Sequence, residues 1–292
     1  MSATTRSSGP WLPRLVVAPS FLLSLLFIYG LMAWNGYLSF SASRILPNYD
    51  FVGLAQYQAL FDNERFRVAM GNLAIFGVLF IGGAMAVGVV LAILLDQKVR
   101  GEGLLRTIYL YPMAISFIVT GTAWKWMLNP GQGLEHLMHQ WGFAGFSFDW
   151  LINPEMAIYC VVIAGVWQSA GFVMALFLAA LRGVDESIIK AAQVDGASLP
   201  RIYWSIILPS LRPVFFSTLL VVSHLAIKSF DLVMALTSGG PGFATDLPAT
   251  FMYAHAFTRG QIGLGAASAT VMLATVAAIV VPYLYSELRA KR

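Results

Sequence analysis

Six separate stretches of this chain are apolar and long enough to cross a lipid bilayer as helices: Leu15–Leu38, Val68–Leu95, Thr107–Leu128, Ala157–Leu181, Pro213–Leu236 and Leu264–Tyr285. About 20 mostly apolar residues suffice to span the hydrocarbon core. Once in lipid, every backbone N–H and C=O must be paired inside the element, which leaves helices or a closed barrel. Alternation at a two-residue period is absent, which argues against a β-barrel. The expected fold class is therefore all-α, a polytopic membrane protein of six transmembrane helices. The chain is one membrane domain (15–285) between short tails at 1–14 and 286–292.

Composition supports this reading. Only 11% of the 292 residues are charged, whereas 58% are apolar. A soluble domain carries about 25% charged residues, and a disordered chain is poor in apolar ones. The single cysteine, Cys160, excludes a disulfide framework. A secretory signal has an apolar core of about 7–15 residues, and the first stretch is longer, so it reads as an uncleaved helix. Neither an internal repeat nor a broken helix is evident.

Charge distribution gives the orientation. With the amino terminus inside, the inner segments hold Arg6, Arg14, Lys98, Arg100, Arg106, Arg182, Lys190, Arg201, Arg212, Arg289, Lys291 and Arg292. The outer segments hold Arg44, Arg65, Arg67 and Arg259. Positive residues stay cytoplasmic, so both termini are expected there. The basic residues are scattered topology anchors, and no basic stripe remains to follow a nucleic acid backbone.

The segment between the fourth and fifth spans is the most informative. Asp185 suits an N-cap and Gly196 a helix C-terminus. Pro200 can open a second short helix and Pro209 stop it. Ala191, Ala192, Gly196 and Ala197 are small, so a partner surface can approach the backbone. The pattern Ala191-Ala192, three residues, Gly196, nine residues, Ile206, one residue, Leu208-Pro209 resembles the EAA loop of bacterial ABC importer permeases. Lys190 stands where that family has glutamate. Thr237-Ser-Gly-Gly-Pro241 and Phe51-Val-Gly-Leu-Ala-Gln-Tyr57 resemble the carbohydrate-uptake branch. Arg106-Thr-Ile-Tyr-Leu-Tyr-Pro112 and Ile227-Lys-Ser-Phe-Asp-Leu232 resemble its glucose/mannose permeases.

The resemblance implies a type I ABC importer permease fold with cytoplasmic coupling helices, in a bacterial inner (plasma) membrane. It implies four partners besides membrane lipid: a second homologous permease, a dimeric ABC ATPase, a periplasmic sugar-binding protein and the sugar. Lys190, Ala191, Ala192, Asp195, Gly196 and Pro209 would couple to the ATPase. Another carbohydrate remains open as substrate, whether a disaccharide, a polyol or glycerol phosphate. A secondary transporter is the rival from another class. None of the five lysines follows a glycine, so there is no Walker A loop, and ATP and magnesium would sit on the partner ATPase. No catalytic constellation, cofactor site or metal site stands out. His136 and His139 read as a surface pair.

Polar residues within spans need a partner or a cavity. Gln168, Ser169 and Phe172 of the fourth span face a depth near that of His224 in the fifth. A sugar needs hydrogen-bonding partners for its hydroxyls and a ring to stack on. His224, Lys228 and Asp231 are spaced four and three apart, as on one helical face. Two readings stay open for Lys228 and Asp231, a sugar path or a structural ion pair. For His224 the second reading is an interhelical hydrogen bond.

Overall fold

The computed structural model describes residues 11–46, 48–97 and 99–290. Most of the expected amino-terminal tail, with Arg6, lies outside them, as do Lys98, Lys291 and Arg292. Among the described residues the protein is helical, with one isolated bridge between Ser41 and Phe51 and no strand.

Helix α1 runs from Trp11 to Ser39 through a π-helical turn at Leu25–Gly30. Its first half buries none of its described side chains and is mostly apolar beyond Arg14, so it needs a lipid or protein surround. Near its end Asn35 Nδ2 donates to Ala266 O at 3.3 Å, pinning it to the last helix. A short α2 (Ala55–Asp62) leads into α3 (Glu64–Asp96), which is capped by Asn63 and is 33 residues long. At 1.5 Å per residue α3 extends about 50 Å and connects the two ends of the bundle.

The core is the seam between α3 and α7 (Ala157–Leu181). Small residues make it: a Cβ at Gly88 would lie 2.5 Å from Val173 Cβ and 2.8 Å from the Ala170 carbonyl. On another side of α7, a Cβ at Gly171 would collide with the Tyr109 carbonyl of α4 (Glu102–Ala114). Helices in lipid gain no hydrophobic drive from meeting, so close backbone approach of this kind holds them.

Two of the six expected spans are not single rods. Helix α4 and α5 (Phe117–Met127) meet at 101° where the sequence reads one span over 107–128. Pro112 removes a backbone donor near the end of α4, Ile115 and Ser116 are extended, and Ser116 Oγ caps α5 by accepting from Val119 N at 3.3 Å. After α6 (Leu134–Gln140) and α7 come the loop helices α8 (Glu186–Val194) and α9 (Leu199–Ser210). Helix α9 meets α10 (Arg212–Ile227) at 72°. The expected fifth span then stops at Ile227 and restarts as α11 (Asp231–Leu236). With α12 (Pro248–Tyr253) and α13 (Ile262–Ala290), there are four long apolar helices, or six spans when each bent pair is taken as one. Helix α13 continues past Tyr285, where the sequence reading places a tail.

The two ends of α3 are anchored differently. At its start Arg65 binds the buried Asp246 through Nε–Oδ2 (2.5 Å) and Nη2–Oδ1 (3.2 Å). At its end Asp96 and Gln97 meet Tyr203 of α9. Glu102 and Arg182 pair at 2.7 Å near that same end.

Candidate functional site

Two places gather the residues singled out by the sequence. The first is a cavity of about 240 Å³ between the α4–α5 bend, α7 and α10, lined by Met113, Phe117, Gln168, Ser169, Phe172, Val221 and Leu225. The expected trio on α7 is therefore brought together. Gln168 is only 4% exposed, and its Nε2 donates to Ile115 O at 2.7 Å. That carbonyl is freed by the bend, because the end of a helix leaves its last C=O groups unpaired. Gln168 thus holds the break that shapes the cavity. Its Oε1 is buried and has no partner among the described residues.

His224, Lys228 and Asp231 are exposed and are not part of that lining. Among the described residues Lys228 and Asp231 form no ion pair, and His224 makes no interhelical hydrogen bond. The ion-pair and one-face readings fail for one reason: the helix ends between the two charges. Lys228 is the C-cap of α10, and Asp231 opens the first turn of α11. Each charge sits at the helix end whose dipole it complements. Val221, His224, Leu225 and Lys228 still share one stripe of α10 by spacing, so two exposed polar groups border the cavity stripe.

The second place is the loop helix pair. Asp185 caps α8, its Oδ1 accepting from Ser187 N at 2.8 Å, and these bonds to Ser187 hold its carboxyl below the usual carboxylate range. Helix α8 closes with Gly196 at φ +79°, Gly196 N donating to Gln193 O and Ala197 N to Ala192 O, both at 3.0 Å. This is a Schellman ending, which needs a left-handed residue. Ala192 and Ile189 turn inward onto the core, while Ala191, Asp195 and Gly196 are exposed. Ala192 is therefore a packing residue rather than part of an outer face. Lys190 pairs at 3.0 Å with Glu186 of its own helix.

Pro209 stands one residue before the end of α9, where the chain bends into α10. The helix carries a π-helical turn at Tyr203–Ile207 and continues through Pro209 to Ser210. A wider turn tolerates the donor that proline lacks. Sequence reasoning missed Tyr203, whose OH donates to Asp96 Oδ2 at 2.5 Å and accepts from Gln97 Nε2 at 2.6 Å. A polar Asp-Gln pair at the end of an apolar run was the available signal. It also missed Arg65 and Asp246. His136 meets Gln140 at 3.0 Å and His139 meets Phe146 O at 2.7 Å, so the two rings serve separate contacts.

Small-residue helix seams, broken spans around a mostly apolar cavity that holds one amide and one hydroxyl, and a helix pair at one end define a polytopic membrane transport subunit. Residues 84–290 match the family of binding-protein-dependent transport system inner membrane components. The chain belongs to that family and is an ABC transporter permease. It is 39% identical to a probable ABC transporter permease of Pyrococcus horikoshii, over 95% of this chain and 96% of that protein. It is 35% identical to the xylose/arabinose import permease XacH of Haloferax volcanii (91% and 85% covered). It is 31% identical to the sn-glycerol-3-phosphate permease UgpA of Agrobacterium fabrum (92% and 92% covered). Its fold matches a chain in the crystal structure of a bacterial importer of the acidic polysaccharide alginate, with TM-score 0.84, 20% identity and 97% and 96% covered.

Proposed function

We propose that this chain and a second homologous permease form the membrane path of an ATP-driven sugar importer, with glucose or mannose as substrate. A dimeric ABC ATPase, carrying ATP and magnesium, docks on the 182–212 loop, and a periplasmic sugar-binding protein delivers sugar at the opposite end. Both termini lie in the cytoplasm. ATP binding closes the ATPase dimer and moves α8 and α9, opening the path outward, and hydrolysis resets it. The docking residues are Lys190, Ala191, Asp195 and Gly196, with Ala192 and Pro209 shaping the helices behind them. Gln168, Ser169 and Phe172 meet the sugar, and His224, Lys228 and Asp231 border its route.

The observation that carries this reading is the helix pair at the loop end. Its capped start, Schellman ending and tie to α3 through Tyr203 make it rigid enough to pass force into the bundle. For the sugar class, the cavity is lined by an amide side chain, a hydroxyl side chain and aromatic rings. XacH and UgpA are named for xylose/arabinose and for sn-glycerol 3-phosphate, and a matching solved structure is an alginate transporter in complex with its pentasaccharide-bound periplasmic protein. Glucose and mannose rest on the motifs at Arg106–Pro112 and Ile227–Leu232.

The test is uptake of labelled glucose by the assembled transporter in vesicles, with its binding protein outside and ATP inside. ATP-dependent uptake with competition by unlabelled mannose is expected. Competition by xylose or glycerol phosphate alone overturns the sugar assignment and keeps the importer. Uptake that runs without ATP overturns the importer.

A further inference from the structure

Apart from the Gln168 cavity, the bundle holds a larger cleft of about 470 Å³ at the coupling-loop end. Met85, Val89 and Ile93 of α3, Phe177 of α7, and Leu208 and Phe215 line its walls. One lining residue is charged, Arg212, which stands just past the bend between α9 and α10. Arg212 is exposed and has no ion pair in this chain among the described residues. Beside it Trp204 is 75% exposed.

We infer that this cleft binds one anionic phospholipid from the leaflet at the coupling-loop end, with an acyl chain between α3 and α10 and the headgroup phosphate on Arg212. Three observations fix the occupant. The walls are apolar for their whole depth, so the buried part of the ligand is hydrocarbon. The one cation sits at the mouth and lacks a partner, so the ligand carries negative charge there, and guanidinium matches phosphate in geometry as well as sign. Trp204 is 75% exposed in the lining, which suits the headgroup level that interfacial tryptophans prefer. Basic pockets between transmembrane helices are a recurring way of holding acidic lipid headgroups. The site does not depend on which solute the subunit carries.

The position gives the lipid a consequence. Trp204, Leu208 and Pro209 belong to the helix that carries Tyr203, so an acyl chain in the cleft packs against the element that links the loop to α3. Occupancy would set how firmly α9 follows α3.

The experiment uses the complete transporter, equilibrated in vesicles of equal parts phosphatidylcholine and phosphatidylglycerol, extracted mildly, and analysed by mass spectrometry for retained lipid. The wild type is expected to retain phosphatidylglycerol selectively. Arg212→Gln should lower that retention about fivefold, the share of one juxtamembrane cation. Arg212→Lys should keep most of it. Val90→Phe narrows the cleft from an exposed lining position and should displace the lipid with Arg212 intact. Equal retention by wild type, Arg212→Gln and Val90→Phe overturns the inference. So does a cysteine at Val90 that cross-links to the second permease, since protein would then fill the cleft. If Arg212→Gln fails to assemble, the Val90→Phe result decides alone.

Discussion

Tyr203 and Asp96, 107 positions apart, share a hydrogen bond of 2.5 Å that ties the second loop helix to the end of the longest span. Gln97 adds a second bond to the same hydroxyl. The phenol adds hydrogen bonds to the apolar packing of Ala192, Ile202 and Ile207 that joins the loop to the bundle. Tyr203→Phe keeps the ring and removes both bonds, one of them to a carboxylate and worth about 1.5–3 kcal/mol. ATP hydrolysis by the assembled transporter should continue while sugar uptake per ATP falls severalfold. An unchanged ratio of uptake to hydrolysis would show that force reaches α3 by another route.

Gly196 separates a backbone role from a contact role. No atom lies within 4 Å of a Cβ at that position, yet its φ is +79°. A residue with a Cβ is strained there by about 1–2 kcal/mol, and asparagine tolerates the region better than most. Gly196→Asn should therefore retain more ATPase association than Gly196→Ala, although its side chain is larger. The reverse order in pull-down would mean that side-chain volume against the ATPase decides, not the turn.

Asp246 is 1% exposed and its carboxylate is held by Arg65 and by the Thr250 hydroxyl at 2.6 Å. The Arg65 guanidinium also lies 4.6 Å from the centre of the Phe243 ring. Removing one partner leaves a buried charge alone, at about 3–5 kcal/mol. Arg65→Met should lower the yield and melting temperature of the complex sharply. The double variant Arg65→Met, Asp246→Asn should recover much of the loss. A single variant as stable as wild type would show that this end of α3 is not a structural clamp.

His255 gives a pH dependence. Burial pushes its imidazole below the usual histidine range, despite the bond from Nδ1 to Gln261 Oε1 at 2.7 Å. The Arg259 Nη1 lies 3.4 Å from Nε2 and suits the neutral ring. The unfolded chain therefore takes up the proton first, and stability rises with pH through this window. The contribution is complete above the ordinary histidine value of about 6.5 and fades as pH falls below it. Melting of the wild type should drop between pH 8 and pH 5.5 by more than that of His255→Gln. Parallel curves would place the sensitivity elsewhere.

Orientation is read by labelling. Gly145 and Ser198 are exposed at the two ends, and the native Cys160 is buried. With Cys160 replaced, a cysteine at 145 should react with an impermeant reagent added outside, and one at 198 should not. Inverted labelling would reverse the charge-based assignment.

The chain itself determined the class of fold, because hydrophobic length and charge placement act locally and leave few structures that lipid accepts. It also determined the loop motif: Asp185, Gly196 and Pro200 act on neighbours a few residues away, and each took its expected place. The tertiary structure alone decided where spans break and which polar groups meet. Gln168 reaches the Ile115 carbonyl across 53 positions, and Arg65 reaches Asp246 across 181. Pro112, Ser116 and the Lys228–Asp231 step carry break signals, but 20 apolar residues in a row read the same whether the helix is straight or bent. Whether a helix breaks depends on a neighbour that can take up the freed carbonyl, and only packing α7 against α4 supplies Gln168 for that purpose.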